Sequence, residues 1–263
     1  MTHRQIIKAI EEIAPLSLQE EWDNCGFQTG APDNECTGAL LCVDVTEDII
    51  SEARSRGCSL VISHHPLLFR GIKQVLGRNR VERTLAEALR NDITIYSAHT
   101  SADNAPDGVS WEMARRLGLT GCTVLAPHHG SEGKAGCGVI GTLQEAITPG
   151  QLVEKIKTAF NSPVARCSDP QKASPLITKI ALCGGAGSDF IPAAIAAGAQ
   201  AYINSDTKLN FFLDHADDIF IIDIGHYESE NCTKDIFYRA ISEKFPKFAV
   251  YYSDIEQNPI HYL

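Results

Sequence analysis

The stretch SLVISHHPLLF, from Ser59 to Phe69, joins a short apolar run to two adjacent histidines and a proline. A run of this length, rich in apolar and β-branched residues, is typical of a buried strand. In an open α/β sheet, ligands and reacting groups collect beyond the carboxyl ends of the strands. His64 and His65 lie at that position, so the stretch predicts both a class of fold and the place of a site.

The rest of the chain alternates strand-like runs with helical patterns, which indicates an α/β fold. In the segment from Thr46 to Gly57, Thr46 can cap the amino terminus of a helix and Gly57 can end it. A second helical pattern covers 81–92. Further strand candidates lie at 38–45, 93–98, 179–184, 201–205 and 219–225.

Composition and charge exclude several classes of protein. The 263 residues are 44% apolar, which suffices for a core in one large domain or two ordinary ones. No run approaches the roughly 18 apolar residues of a membrane span, and the amino-terminal segment has a helical period instead of the apolar block of a signal peptide. Nine cysteines without a CxxC pair predict free thiols and a cytoplasmic location. The net charge of −10 argues against a broad nucleic-acid surface.

Metal-type residues follow three of the strand candidates. The run SLVIS leads into His64 and His65, ITIYSA leads into HTSADN, and IFIIDIG leads into HYESE. A histidine near one strand end is commonly an ordinary hydrogen-bonded residue, and an H-x-x-x-E pair is commonly a plain contact along a helix. Their occurrence at three strand ends favours a metal site instead.

The spacing within these segments predicts how the ligands divide. Adjacent side chains of an extended chain point in opposite directions, and Pro66 biases His65 towards an extended conformation, so His64 and His65 suit two different ions. On a helix that begins after the third strand, His226 and Glu230 share one face.

Asp103 and the remaining histidines complete this interpretation. A short loop could swing the Asp103 carboxylate back over its strand end. Five residues with one bridging carboxylate would give each ion three protein ligands and leave coordination positions open, as in catalytic sites. Glu228 is expected to point away. The pair His128 and His129 is expected to lie in a solvated loop, whereas His99 is either a partner that orients a ligand or a packed residue.

At these residues the sequence resembles the NIF3-like family, also called DUF34 or YbgI-like, whose bacterial members are often labelled GTP cyclohydrolase 1 type 2 homologues. The resemblance spans the chain and rests on five motifs in order: EEWDNCGFQTG (20–30), VISHHPLLF (61–69), YSAHTSADNAPDGVS (96–110), CGGAGSDFI (183–191) and IDIGHYESE (222–230). It implies a NIF3-like fold of two interlinked α/β lobes with mixed sheets flanked by helices. It also implies a toroidal homohexamer with its sites facing an internal cavity, and a two-metal site on the same five residues: His64, His65, Asp103, His226 and Glu230.

The lobes are predicted from the ligand positions and from the segment from Ala126 to Gly138, which is rich in glycine and polar residues. This segment is interpreted as a connection between halves. The metal-binding lobe is therefore expected to comprise 1–126 plus 220–263, and the second lobe 127–219.

The sequence departs from the family pattern in the segment NSDTKLN. Members commonly have a Thr-Gly-Asp/Glu turn followed by a histidine, whereas this chain has Ser205 for the glycine and Asn210 at the histidine position. Asp206 is retained and is a candidate partner of a ligand.

The loop from Gly184 to Gly187 is interpreted as a strand-to-helix turn, with phosphate binding as the alternative. Trp22 is expected to pack, and Asp23 and Asn24 are expected to be turn or capping residues that could approach the site.

These observations predict a dinuclear metal-dependent hydrolase that acts on a nucleotide-like substrate. The family label implies that the target is the guanine imidazole ring of GTP, and a phosphoester would suit the same chemistry. Imidazole and carboxylate ligands suit zinc, iron, manganese, cobalt or nickel. The alternative from another class is a metal-binding or regulatory interaction protein without catalysis, which the altered NSDTKLN segment favours slightly.

Overall fold

A computed structural model describes all 263 residues, and the chain forms two compact units. The first unit comprises Met1–Ala105 and Thr233–Gln257, and the second Pro106–Cys232 and Asn258–Leu263. The helices and strands, in chain order, are α1 (His3–Ile13), β1 (Gly26–Thr29), β2 (Ala39–Cys42), α2 (Glu47–Ser55), β3 (Leu60–Ser63), α3 (Arg80–Arg90), β4 (Thr94–Ser97), α4 (Thr100–Asp103), α5 (Val109–Leu117), β5 (Thr120–Pro127), β6 (Gly136–Ile147), α6 (Pro149–Phe160), β7 (Arg166–Cys167), β8 (Ile177–Leu182), α7 (Ile191–Ala196), β9 (Ala201–Asn204), α8 (Leu209–His215), β10 (Phe220–Asp223), α9 (His226–Glu230), α10 (Thr233–Lys244) and β11 (Val250–Tyr252).

The first unit contains a five-stranded sheet of order β1-β4-β3-β2-β11, in which β1 is antiparallel and the other strands are parallel. Every residue of β2, β3 and β4 is buried. Helices α2 and α3 pack apolar residues against alternate residues of these strands, among them Leu40, Val61 and Ile95. Strands β3 and β4 run in register, with Ser63 opposite Ser97. The residues that follow these two strands therefore lie at the same edge of the sheet.

The second unit contains a six-stranded sheet of order β5-β6-β8-β9-β10-β7. Strands β8, β9 and β10 are parallel, and β5, β6 and β7 pair antiparallel. Asn204 of β9 lies opposite Asp223 of β10, so the loops that follow these strands are neighbours. The expected α/β class, with two mixed sheets flanked by helices, is confirmed.

The six strands that apolar runs predicted are all present, and so are the two predicted helices. In α2 the Thr46 side chain accepts a hydrogen bond from the Ile49 amide at 3.3 Å, which is the expected cap. Gly57 follows the helix with a φ of +69°, a conformation that favours glycine. Five strands were not predicted from the sequence, and two of them, β5 and β6, form a long hairpin.

The segment interpreted as a connection between halves is the loop of this hairpin, within the second unit. The boundaries of the two units therefore differ from those of the predicted lobes. The predicted lobes were 1–126 plus 220–263 for the first and 127–219 for the second. Residues 106–126 belong to the second unit because β5 pairs with β6, and 220–232 belong there because β10 pairs with β9. None of the helices is both long and apolar enough to cross a bilayer.

Candidate metal centre

Three imidazole rings form a cluster at the carboxyl ends of β3 and β4 in the first unit. His64 is fully buried directly after β3, His65 follows it, and His99 lies two residues after β4. The ring centroids are 5.0 Å apart for His64 and His65, 5.2 Å for His64 and His99, and 5.4 Å for His65 and His99. One nitrogen from each ring lies within 4.8 Å of the other two. The cluster thus offers several nitrogen donors within a space that suits a metal ion.

Each of these rings is oriented by an oxygen acceptor at Nδ1. The Nδ1 atom of His64 lies 3.0 Å from the Ala98 carbonyl oxygen. The Nδ1 of His65 lies 3.2 Å from the Asp44 carboxylate, and that of His99 lies 2.9 Å from Asp23. Because a carbonyl or an ionised carboxylate only accepts hydrogen bonds, the proton belongs on Nδ1 and the lone pair on Nε2. This is the arrangement that outer partners impose on metal-binding histidines.

The Asp103 carboxylate faces the same cluster. Its Oδ1 lies 3.7 Å from Nε2 of His64, and the side chain is 15% exposed. The sequence predicted that a short loop would bring Asp103 over the strand end, whereas the structure uses the one-turn helix α4. A carboxylate oxygen and an imidazole nitrogen thus approach each other within the first unit, and both are ordinary ligands of divalent transition metals.

The side chain of Asp23 is fully buried and holds His99 together with the start of α4. Its carboxylate accepts hydrogen bonds from His99 Nδ1, from the Thr100 amide at 3.0 Å and from the Thr100 hydroxyl. Burial opposes ionisation, but these hydrogen bonds outweigh it and hold the pKa of Asp23 well below its ordinary value. Burial likewise disfavours the charged imidazole, but Asp23 and the charge of Asp103 raise the pKa of His99. Sequence reasoning missed this pair because 76 residues separate its members.

The second unit carries an imidazole and a carboxylate on α9. His226 Nε2 lies 2.9 Å from Oε2 of Glu230, so the contact expected from their four-residue spacing is present. Nδ1 of His226 lies 2.8 Å from the Asp206 carboxylate, which repeats the orientation of the first-unit histidines. Glu228 faces elsewhere, since its carboxylate accepts a hydrogen bond from Asn258 at 2.8 Å.

Asp206 reaches His226 because of the register of β9 and β10. Asp206 adopts a φ of +54°, in the left-handed region that Asp and Asn tolerate better than most residues. The Asp223 carboxylate accepts hydrogen bonds from the Thr207 amide at 2.8 Å and from the Gly225 amide at 3.1 Å. It therefore ties together the two loops that carry Asp206 and His226.

The loop from Gly184 to Gly187 is a strand-to-helix turn whose amides are used internally. The Gly184 amide donates to the Ser110 hydroxyl at 3.2 Å, Gly185 to the Ser229 hydroxyl at 2.9 Å and Gly187 to the Gly185 carbonyl at 3.0 Å. These three amides are therefore engaged within the protein, which favours the turn over phosphate binding.

The two departures in the NSDTKLN segment differ in their surroundings. Ser205 is completely buried, and its hydroxyl has no hydrogen-bond partner. Asn210 is exposed in the first turn of α8. The loop keeps its hold on His226 through Asp206, so the departures leave the imidazole orientation intact.

Comparison with known proteins agrees with this fold. The family model Duf34/NIF3 (NGG1p interacting factor 3) matches residues 1–259. A protein of Clostridium perfringens named GTP cyclohydrolase 1 type 2 homolog is 33% identical over 231 residues, which are 88% of this chain and 87% of that protein. A protein of the same name from Clostridium acetobutylicum is 30% identical over 229 residues, covering 86% and 84% of the two chains. The crystal structure of a Bacillus cereus protein related to NIF3 has a TM-score of 0.90 and 23% identity, covering 100% of this chain and 99% of that one.

Proposed function

Because the chain belongs to the Duf34/NIF3 family, we propose that it is a dinuclear metal-dependent hydrolase acting on a nucleotide-like substrate. The observation that carries the proposal is shared by four histidines. In His64, His65, His99 and His226, Nδ1 faces a carbonyl or carboxylate oxygen. In the three of these that are proposed ligands, His64, His65 and His226, this orientation assigns Nε2 as the ligand atom. A carboxylate also faces the Nε2 atom of an imidazole in each unit.

In this proposal the ligands of the two ions are the five residues expected from the sequence: His64, His65, Asp103, His226 and Glu230. Their imidazole and carboxylate donors fit divalent zinc, iron, manganese, cobalt or nickel. The chemistry supplied at such a site is Lewis-acid activation of water for attack on an electrophilic carbon or phosphorus.

The residues around the ligands fix their orientation and protonation. Asp44 and Asp206 accept the Nδ1 protons of His65 and His226, so these rings present a basic Nε2. The Ala98 carbonyl does the same for His64. Asp23 holds His99, which is proposed as an outer partner of the ligands.

The names of the relatives supply the proposed substrate. Curated relatives are named GTP cyclohydrolase 1 type 2 homolog, which supports the guanine imidazole ring of GTP as the target, attacked at the carbon between its nitrogens. A phosphoester is the alternative bond. A second function, metal-dependent regulation without catalysis, is supported by Asn210, because an amide cannot shuttle a proton as a histidine at that position would.

Metal analysis followed by a hydrolysis assay tests the proposal. Protein reconstituted with each of the five metals should retain two ions per chain and should hydrolyse one member of a nucleotide panel. Replacing His64 and His65 with Ala should abolish both properties. Replacing His128 and His129 with Ala is the matched control, since this second pair lies in the hairpin loop and His128 Nδ1 bonds only the adjacent carbonyl.

The outcomes separate the two functions. Two retained ions without turnover of any nucleotide would select the regulatory function. Failure to retain any metal, or equal metal loss in the two double variants, would contradict both.

We also propose a homohexamer and a cytoplasmic location. The hexamer is supported by the family resemblance, and the location by nine cysteines that are all free thiols. A monomer mass in light scattering at micromolar concentration would contradict the hexamer.

A further inference from the structure

Two large aromatic side chains are exposed beside the histidine cluster of the first unit. Trp22 is 60% exposed and Phe69 is 45% exposed. The expectation that Trp22 packs is therefore wrong for most of its surface. Exposed aromatic rings are costly to keep in water and commonly mark a place where another molecule binds.

The two rings and His99 form a corner with three walls. The centroid of Trp22 lies 6.0 Å from that of Phe69 and 6.1 Å from that of His99, and the Phe69 and His99 centroids are 6.2 Å apart. The planes of the three pairs are inclined by 64°, 74° and 77°. Each ring therefore meets its neighbours edge to face, which is a favourable aromatic geometry. The His99 ring links this corner to the rest of the cluster, because its centroid lies 5.2 Å from that of His64 and 5.4 Å from that of His65.

Nearby charges favour an anionic guest. The segment from Phe69 to Arg80 contains four basic residues and no acidic one, although the whole chain has a net charge of −10. Arg70 and Lys73 are both exposed. An aromatic cage can also bind a cation, but these two cations would repel it. Acidic side chains lie close as well, since Glu21 precedes Trp22 and the carboxylates of Asp23, Asp44 and Asp103 face the histidines. Those three carboxylates face imidazoles, whereas Arg70 and Lys73 belong to the basic segment that begins at Phe69.

We propose that Trp22 and Phe69 form a stacking platform for the flat heteroaromatic ring of an anionic small molecule, with Arg70 and Lys73 attracting its charge. The ring would lie beside His99 at the edge of the metal-binding histidines. Stacking on an exposed aromatic ring suits any base-like ring, because each has a π-face. This inference rests on the proposed function for the identity of the reaction. It adds which part of the substrate is bound, the heteroaromatic ring, and does not specify which bond is hydrolysed.

Calorimetric titration of the full-length protein tests the platform. The probes are guanosine 5′-monophosphate (GMP), guanosine and ribose 5-phosphate, each added to metal-loaded and to metal-stripped protein. We expect Trp22→Ala and Phe69→Ala to weaken GMP binding roughly 5- to 150-fold, the range for loss of one base–aromatic contact. Trp22→Phe keeps a ring and should retain most of the affinity.

The controls separate stacking from other effects. Leu176→Ala removes an apolar side chain of similar exposure, 52%, in the second unit and should leave GMP affinity unchanged. Binding of ribose 5-phosphate and metal content should be the same in all variants, because neither depends on the rings.

Three results would overturn the platform. The first is unchanged GMP affinity in both Trp22→Ala and Phe69→Ala. The second is wild-type binding of ribose 5-phosphate as tight as that of GMP. The third is a change of oligomer mass in the aromatic variants without a change in GMP affinity, which would assign the rings to an interface between copies. Failure of the hydrolase proposal is distinguishable, because GMP binding that depends on Trp22 can persist without turnover.

Discussion

Glu230 Oε1 occupies the space that a β-carbon on Gly185 would take. Gly185 also has a φ of +65°, which disfavours any residue with a side chain. The glycine therefore allows the carboxylate of α9 to lie against the backbone that follows β8. The close approach is a packing requirement for Glu230, and it explains a glycine that the sequence alone assigns only to a turn.

Replacing Gly185 with Ala should displace Glu230 and lower metal content. Gly118→Ala is the matched control, because Gly118 has a φ of +71° and a β-carbon added there would meet no atom within 4 Å. Both variants should lose about 1–2 kcal/mol of unfolding free energy from backbone strain. Only Gly185→Ala should also lose metal, as measured by metal analysis beside urea unfolding. Equal metal content in the two variants would contradict the role of the close approach.

Replacing Asp206 with Asn should weaken metal binding while keeping the fold. Asn tolerates the left-handed conformation at this position, but its amide holds the Nδ1 proton of His226 less firmly than a carboxylate does. We expect a loss of roughly 10- to 100-fold in affinity, which is typical of outer partners of metal ligands. Titration with a competing chelator measures the metal affinity. Asp217→Asn, which alters an exposed partner of Lys172, is the control, and an equal effect there would contradict the assignment.

Stability of the first unit should depend on the ion pair of Lys234 and Glu256. The two side chains are 11% and 6% exposed at a separation of 2.7 Å, and Glu256 also accepts hydrogen bonds from the Val43 and Asp44 amides. Lys234→Met would leave a buried carboxylate without its cation and should cost about 3–5 kcal/mol of unfolding free energy.

The control for this pair is Lys244→Met, because Lys244 pairs with Glu12 at the surface, where the side chains are 37% and 62% exposed. That change should cost at most about 1 kcal/mol. Urea unfolding of the metal-free protein compares the two. Similar losses would show that burial of the first pair adds nothing.

The sequence predicts those strands in which consecutive residues are buried. Leu60–Ser63 and Phe220–Asp223 are buried throughout, so their runs are apolar without alternation. The hairpin of Thr120–Pro127 and Gly136–Ile147 carries mixed burial, and its glycine-rich loop imitates a connection between domains. The hairpin belongs to the second unit because β6 pairs with β8. Such pairing between distant segments cannot be read from the sequence of either segment alone.

The candidate ligands were predictable because each follows a strand directly or lies on the helix or turn after it. The residues that orient these ligands were harder to predict. Asp44 reaches His65 from the end of a neighbouring strand, and Asp23 reaches His99 across 76 residues, so only the folded sheet brings these pairs together. The exposure of Trp22 was also hidden, because an aromatic residue between polar neighbours is compatible with either a packed or a binding role.

The last prediction concerns which carboxylate bridges the two proposed ions. A carboxylate has two oxygens that can span metals roughly 3.5–4 Å apart, whereas an imidazole nitrogen serves one. Glu230 and Asp103 are the two candidates. Glu230 has the longer side chain, and its Oε2 lies 2.9 Å from Nε2 of His226.

We therefore expect Glu230→Gln to lower the occupancy of both ions together, because an amide bridges poorly and leaves less negative charge between two cations. His64→Ala should mainly empty one position, and His128→Ala, in the hairpin loop, should leave both filled. Metal stoichiometry of the purified variants measures this. If Glu230→Gln keeps both ions while Asp103→Asn loses both, the bridge is Asp103 and not Glu230.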